Sequence, residues 1–211
     1  HSVASRGLGD VYKRQILCCW SKINGYPVGI IANNGVIFIE SARKATHFIQ
    51  LANKSNTPLL FIHNTTGFMV GKKHEQSGMI NSGSQLIHAV AGSTVPHISL
   101  QIGNSYGAGN YAMCGRSFNP RFLFSYPNSK SGVMGANQLA GVMEIVKRRS
   151  AQSLNKEIDE KLLQEEKKKL ADQADKKASV WHTTSEVWDD GVIDPRDTRK
   201  YLSLSLAAVY K

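Results

Sequence analysis

The stretch SYGAGNYAMCG, residues 105–115, follows an apolar run at Pro96–Ile102 and precedes another at Phe122–Phe124. Both runs have the residue types of buried strands. The stretch between them places three small residues, Gly107 to Gly109, at the end of the first strand, with no charge nearby. Glycine-rich turns after strands often bind phosphate, but they can also direct backbone N–H groups at another ligand. This junction is therefore the centre of the predicted fold.

Strands and helices alternate around the junction. Short β-rich runs at Val28–Ile31 and Val36–Ile39 flank an Asn-Gly turn, and Ser41 is placed to cap the helix that follows. Helical spacing of apolar residues predicts three helices, with the stripes Ala45, Phe48, Ile49 and Ala52; Met79, Gly83, Leu86, Ile87 and Val90; and Leu139, Val142, Met143 and Val146. This order predicts an α/β fold with a largely parallel sheet.

Two unusual loops follow predicted strands. One spans 64–73, after the strand Pro58–Ile62, and the other spans 103–110, after Pro96–Ile102. In open parallel sheets, ligands bind at the carboxyl ends of strands, so both loops are candidate binding segments.

The C-terminal third is predicted to be helical. Residues 155–178 form a strongly charged helix, which we interpret as a protruding helix or as half of a helical hairpin. Its apolar anchors are Ile158, Leu162 and Leu170. Residues 188–195 are typical of a turn, and a helix that starts at Pro195 is expected to end near Tyr210.

Composition excludes several classes of function. Of 211 residues, 41% are hydrophobic and 20% are charged, as in globular domains. No apolar run approaches the roughly 20 residues that span a bilayer. The net charge is +10, but the lysines are scattered among glutamates, which indicates a solvated helix face. We therefore predict no membrane and no nucleic-acid partner.

Cysteine and histidine spacing indicates no metal site and no disulfide framework. Cys18, Cys19 and Cys114 favour a reducing, intracellular compartment. The histidines show no metal-ligand pairing. Residues 1–15 lack the periodicity of the rest, and we predict that they are a foreign leader, with a transit peptide as the alternative.

Neither glycine loop matches a nucleotide-binding motif. GFMVGKK, residues 67–73, has three residues between its glycines, whereas the Walker pattern needs four. It is either an ordinary strand-to-helix turn or a pocket wall, since Phe68, Met69 and Val70 are costly to expose. The 105–115 stretch lacks the G-x-G-x-x-G spacing.

The groups of the 105–115 stretch that could act chemically are its backbone N–H groups. If a helix begins there, two unpaired N–H groups could form an oxyanion hole, which stabilises negative charge on an oxygen. Close packing of a helix on a strand also needs small residues, and spacing alone leaves the two interpretations equal. Ser105 lacks the G-x-S-x-G elbow of a nucleophile, and Cys114 is expected to be a core residue in an apolar helix. His63 and His74 flank the first loop and are predicted to be structural.

Five blocks of sequence carry a resemblance to a known family. They are GYPVGIIANNGV (25–36), HNTTGFMVGKKHE (63–75), SYGAGNYAMCGRSFNPRFLF (105–124), SGVMGANQLAGVMEIVKRR (131–149) and WDDGVIDPRDTR (188–199). Together they resemble the carboxyltransferase (β) subunit of biotin-dependent acyl-CoA carboxylases, especially the methylcrotonyl-CoA type. The resemblance covers residues 22–211 and corresponds to the C-terminal domain of that subunit. The N-terminal half, which carries most of the acyl-CoA site in the family, is not matched.

The resemblance implies a crotonase-like (ClpP/crotonase) α/β fold of ββα units, with charged C-terminal helices that protrude. It implies transfer of a carboxyl group from carboxybiotin to a short or branched acyl-CoA such as 3-methylcrotonyl-CoA. A separate α subunit would carry biotin and use ATP and bicarbonate. The β subunits would form a homo-oligomer with a hexameric core, in the mitochondrial matrix of a eukaryote or the cytoplasm of a bacterium.

The resemblance also implies roles for single residues. The backbone amides of Ala108 and Gly109 would form the oxyanion hole for the ureido oxygen of biotin. The biotin-binding residues would be Gly67, Phe68, Val70, Gly71, Tyr106 and Gly107. Asn110 and Tyr111 would shape the acyl-chain selectivity. The freed biotin nitrogen can take the substrate proton, so a side-chain base is not required.

Two segments depart from the family pattern and leave the substrate open. Gly83-Ser84-Gln85 lacks a lysine that is common in the family, and residues 133–138, VMGANQ, resemble the broader acyl-CoA carboxylases more than the methylcrotonyl type. Two other functions remain as alternatives. One is a biotin-dependent decarboxylase subunit that runs the same transfer in reverse, and the other is a non-catalytic assembly domain.

Overall fold

A computed structural model describes residues 16–154 and 158–210. Its strands are β1 (Ile16–Ile23), β2 (Tyr26–Asn33), β3 (Val36–Ile37), β4 (Leu59–Thr65), β5 (Gly67–Phe68), β6 (His97–Tyr106), β7 (Phe122–Ser125) and β8 (Lys130–Gly132). Its helices are α1 (Ile39–Lys54), α2 (Lys72–Gln76), α3 (Met79–Ala91), α4 (Gly107–Ala112), α5 (Ala136–Ser153), α6 (Glu160–Ala178), α7 (Val180–Ser185) and α8 (Thr198–Val209). The proposed foreign leader, residues 1–15, lies outside the described residues and stays a prediction.

Six strands form one sheet in the order β1, β2, β4, β6 and β7, with β8 paired to the far end of β6. Every pair in this sheet is parallel except β1 with β2. The predicted largely parallel sheet is therefore confirmed. Because β4 and β6 are parallel neighbours, their carboxyl ends meet at the same end of the sheet, and so do the segments that follow them.

Strand β1 was not predicted, because the regular spacing of apolar residues begins only after Pro27. β1 and β2 form a hairpin with the two-residue turn Asn24-Gly25, in which both φ angles are positive, at 49° and 87°. Such values are those of a type I′ turn. β1 is a partly buried edge strand. Its sequence, ILCCWSKI, therefore lacks the clean alternation that identifies a half-buried strand.

Helix α1 begins at Ile39, before the predicted cap. Its N-cap position is Phe38, whose extended backbone continues from β3, and Ser41 is buried inside the first turn. The prediction that Ser41 caps this helix is therefore wrong, because the strand leads almost directly into the helix and no polar cap precedes it. The predicted apolar stripe is confirmed, since all four of its residues, Ala45, Phe48, Ile49 and Ala52, are buried.

The junction in the 105–115 stretch differs from the predicted loop. β6 runs to Tyr106, four residues beyond the predicted strand, and α4 begins at Gly107. The loop prediction for 103–110 is wrong because β8 pairs with the last three residues of β6. Local sequence could not reveal this pairing with a segment that lies more than 20 residues away.

The apolar stripe of α5 faces outward. Val142, Met143 and Val146 are 47%, 40% and 52% exposed, and Ala140 is the buried residue of this helix. The predicted helix is confirmed, but most of its apolar stripe is not part of the core. Helical spacing shows that a helix is amphipathic, but it does not show what covers the apolar side.

Helices α5 and α6 pack together as a helical hairpin, which is one of the two predicted interpretations of the charged segment. Ion pairs join the two helices, including Lys167–Glu144 at 2.9 Å and Arg148–Glu160 at 2.6 Å. The buried apolar anchor of α6 is Leu163, whereas the predicted anchor Leu162 is 55% exposed.

Two apolar clusters lie on opposite faces of the sheet, because successive residues of a strand point to opposite sides. Leu59 and Phe61 belong to the cluster beneath α1 and α3, and Leu60 belongs to the cluster beneath α8. A single 3₁₀ turn, Pro195–Asp197, leads directly into α8, so the predicted proline-started helix that ends near Tyr210 is confirmed.

Candidate functional site

The candidate site is built on the junction between β6 and α4. Tyr106 is the N-cap residue of α4, with extended backbone, and Gly107 has a φ of +50°. The first N–H groups of a helix have no carbonyl one turn earlier to accept them, and they carry partial positive charge. The amides of Ala108 and Gly109 are in this first turn.

Close packing requires two of the glycines in this turn. A Cβ atom on Gly107 would lie 2.8 Å from the carbonyl oxygen of Val133. A Cβ atom on Gly109 would lie 2.9 Å from the Cα atom of Gly67 and 3.0 Å from the side chain of Thr65. The packing interpretation of the small residues is therefore correct for Gly107 and Gly109. It is compatible with the backbone-donor interpretation, because packing fixes where the amides lie.

A cavity of about 640 Å³ opens beside α4, within the usual size range of ligand pockets. Helix α4 contributes Gly107, Ala108, Asn110 and Tyr111 to its lining. The other lining residues include Gly132 at the end of β8, the next residue Val133, and Trp188 and Asp189 from residues 188–199, which we call the C-terminal block. Four of the predicted site residues therefore meet at one cavity.

Other predicted site residues lie elsewhere. Gly67 packs beneath Gly109, and Phe68 packs on Gly83 in the core. Val70 is 74% exposed. Tyr106 faces a second cavity, of about 600 Å³, beside Lys130 and Gln138. Gly109 itself is buried and does not line the first cavity. The biotin-binding roles of residues 67–71 and Tyr106 stay predictions.

The C-terminal block contributes a wall that the sequence analysis did not assign to the site. Trp188 is 47% exposed at the cavity. The hydroxyl of Thr184 donates its one hydrogen to the carboxylate of the neighbouring Asp189, with both carboxylate oxygens at 3.0 Å. Asp190 accepts a hydrogen bond from the backbone N–H of Leu123 at 2.7 Å, which ties the block to β7. The signal in the sequence was the dense block WDDG itself, but only the fold places it opposite α4.

Cys114 is a core residue, although it is not inside a helix as predicted. It lies two residues after α4 with a φ of +58°, and its side chain is fully buried beside His97 Nδ1 at 3.2 Å. Burial raises the pKa of the Cys114 thiol to about 12. At neutral pH the group is therefore a protonated thiol and a poor nucleophile.

We expect native Cys114 to resist iodoacetamide, because at pH 8 a pKa of about 12 leaves on the order of one thiolate in 10⁴ molecules. Half-buried Cys19 provides the internal comparison and should be labelled first. Mass spectrometry of peptides labelled before and after unfolding measures both sites. Equal labelling rates of Cys114 and Cys19 in the folded protein would contradict the assignment.

Within residues 16–154 and 158–210, no helix is both long and apolar enough to cross a bilayer. The same residues hold no group of three or more His, Cys, Asp or Glu side chains arranged to bind a metal ion. What the junction offers chemically is the first-turn amide of Ala108 at a cavity with a small-residue wall, followed in the chain by the amide of the buried Gly109. Such donors stabilise an oxygen that gains negative charge.

Comparison with known families matches residues 7–211 to the carboxyl transferase domain. The chain is 50% identical over 200 residues to the "Probable biotin-dependent acyl-coenzyme A carboxylase beta2 subunit" of Mycobacterium tuberculosis, covering 94% of this chain and 38% of that protein. It is 45% identical over 199 residues to the mitochondrial methylcrotonoyl-CoA carboxylase beta chain of Dictyostelium discoideum, covering 94% and 34%. The chain thus spans little more than a third of the length of these relatives.

Solved structures share the fold. The geranyl-CoA carboxylase beta subunit of P. aeruginosa has a TM-score of 0.87 at 45% identity, over 93% of this chain and 37% of that one. Transcarboxylase 12S has a TM-score of 0.79 at 26% identity, over 92% and 37%. These likenesses confirm the predicted crotonase-like α/β fold. Because the family match extends over nearly the whole sequence, the chain belongs to the carboxyl transferase domain family.

Proposed function

We propose that this chain forms the carboxybiotin side of the carboxyltransferase site in the β subunit of a biotin-dependent acyl-CoA carboxylase. The observation that carries the proposal is the β6–α4 junction, which places the first-turn residue Ala108 at a cavity that has one wall of small residues. The names of the similar β subunits support it. We further propose that the acyl-CoA side of the site lies on the part of such proteins that this chain does not span.

The cavity wall suits a flat ureido ring. Gly107, Ala108 and Gly132 carry no side chain larger than a methyl group, so a planar ring can approach their backbone. Biotin, when bound there in its carboxylated form, would supply the activated carboxyl group. The role of the chain is to donate hydrogen bonds from the N–H groups of Ala108 and Gly109 to the oxygen that gains negative charge.

The proposed partners follow from the proposed reaction. A biotin-carrying α subunit would deliver the cofactor and consume ATP and bicarbonate. Copies of the β subunit would assemble into a homo-oligomer, and we favour a hexameric core because the similar transcarboxylase 12S structure is described as a hexamer. The location would follow that of the relatives, one of which is a mitochondrial chain.

The test is a reconstituted carboxylation assay. The full β subunit that contains this chain is mixed with its biotinylated α subunit, ATP and labelled bicarbonate, and 3-methylcrotonyl-CoA, geranyl-CoA and propionyl-CoA are offered in turn. We expect label to enter at least one acyl-CoA, and entry to require biotin on the α subunit. Incorporation into none of them by a correctly assembled complex would refute the proposed function.

Tyr111 is proposed to limit acyl-chain length. Its ring is 44% exposed at the cavity and makes an edge contact with Phe118, with ring centroids 5.9 Å apart. We expect Tyr111→Ala to raise the ratio of kcat/KM for geranyl-CoA over 3-methylcrotonyl-CoA roughly 10-fold or more, because a removed ring leaves room for added methylene groups. Tyr111→Phe, which keeps the ring, is the matched control. An unchanged ratio in Tyr111→Ala would exclude this role.

A further inference from the structure

A buried chain of polar side chains connects α4 to β4 beneath the candidate site. Asn110 Nδ2 donates a hydrogen bond of 2.8 Å to the hydroxyl of Ser105. That hydroxyl is also 3.0 Å from Nδ1 of His63. Both Ser105 and His63 are fully buried, so these contacts are shielded from water. We call this set the Asn110–Ser105–His63 chain.

The hydroxyl of Ser105 connects the other two side chains. Ser105 Oγ accepts from Asn110, so its single hydrogen can be donated to Nδ1 of His63. In the other neutral tautomer, the Nδ1–H of His63 donates instead to the remaining lone pair of Ser105 Oγ. Burial lowers the pKa of His63 to about 3, while a backbone interaction with Met113 opposes this shift. The imidazole is therefore neutral at physiological pH, so its contact with Ser105 is a hydrogen bond between neutral groups.

Helix α4 needs such an anchor. It has only six residues, and two of them are glycine, which is about 1 kcal/mol less favourable in a helix than alanine. Isolated helices of this length are not stable in water. The hydrogen bond between Asn110 and Ser105 closes a ring around residues 106–109, the segment that contains the candidate amide donors.

Contacts with neighbouring segments fix the position of this hydrogen-bonded ring. Ser131 Oγ donates to the backbone carbonyl of Ser105 at 3.2 Å, which attaches the ring to β8. The side-chain oxygen of Asn110 lies so close to Gly115 that a Cβ atom there would overlap it. His63 belongs to β4, which pairs with β6 between Thr65 and Ser105. The first turn of α4 is thus fixed relative to both central strands of the sheet.

We propose that Ser105 and His63 are positioning residues, which hold the first turn of α4 through Asn110 so that its amide N–H groups stay aimed at the reacting oxygen. The proposal rests on the proposed carboxyltransferase function. Neither Ser105 nor His63 lines the cavity, so both act through α4. A displacement of about 1 Å at a reacting centre can lower a rate by 10²-fold, even when its cause is remote from the chemistry.

The central variant is Ser105→Ala in the full β subunit, assembled with its biotinylated partner. It deletes the hydroxyl and leaves Asn110 and His63 unlinked. We expect kcat for carboxylation to fall roughly 10- to 10²-fold. The KM for the acyl-CoA should stay within about threefold of the wild-type value, because Ser105 and His63 are fully buried and do not line the cavity. Equal losses in kcat and acyl-CoA affinity would overturn the proposal. If Ser105→Ala does not assemble, Asn110→Ala breaks the same link from the other end.

Two further variants separate positioning from general destabilisation. His63→Asn can place an amide, which offers both an oxygen acceptor and an N–H donor, near the position of Nδ1. It should therefore retain kcat within about threefold, whereas His63→Leu should lose as much as Ser105→Ala. If Ser105 acts through the amide of Ala108, the losses in Ser105→Ala and Ala108→Pro should not add in the double variant. Additive losses, or equal losses in His63→Asn and His63→Leu, would refute a positioning role. An inactive wild-type complex would instead refute the proposed function.

Discussion

Ala108→Pro is expected to lower the rate of carboxyl transfer roughly 10²- to 10³-fold, the usual loss when one oxyanion donor is removed. Ala108 is the second residue of α4 and lines the cavity. Proline is tolerated in the first turn of a helix because the N–H it lacks has no partner within the helix. The substitution therefore removes the donor and leaves the helix in place. Steady-state kinetics of the reconstituted complex give the result.

Ala108→Gly is the matched control for this prediction, because it keeps the amide and changes only one exposed methyl group. It should retain kcat within about threefold, with the small loss arising from the lower helix propensity of glycine. Circular dichroism and the oligomeric state of both variants test whether they fold. A folded Ala108→Pro complex with wild-type turnover would show that this amide does not stabilise the reacting oxygen.

Phe61→Ala is expected to lower the free energy of unfolding by about 3–5 kcal/mol. Phe61 lies in β4 with no exposed surface, and its ring makes an edge contact with His97 at a centroid distance of 5.3 Å. Its loss would leave a cavity between the sheet and the helices α1 and α3. Since domains have a total free energy of unfolding of about 5–15 kcal/mol, this one substitution would remove a large part of the stability. Urea denaturation followed by circular dichroism measures the difference.

Ile80→Ala is the comparison for Phe61→Ala, because Ile80 is 71% exposed on α3. A surface substitution of this kind should change the free energy of unfolding by no more than about 0.5 kcal/mol. Similar losses in the two variants would mean that Ile80 is covered in solution. A loss below about 1 kcal/mol for Phe61→Ala would contradict its placement in the core.

Local sequence predicted the elements whose neighbours are close in the chain or uniformly apolar. The buried stripe of α1, the parallel strands β4, β6 and β7, and the proline-started C-terminal turn all follow from short-range rules. The Asn24-Gly25 turn obeys such a rule too, and it could have revealed β1. The stripe of α5 predicted the helix but not its surroundings, because the helical period carries no information about what covers the apolar side.

The sequence by itself determined that the 105–115 stretch places small residues after a buried strand, although it predicted a loop where the strand leads directly into a helix. Only the tertiary structure decided why they are small and what they face. Gly109 packs against Gly67, and Gly107 packs against Val133. Ser105 connects α4 to His63 on another strand. The reason is physical: composition and periodicity act over a few residues, whereas a binding site is a set of short distances between segments that lie far apart in the chain.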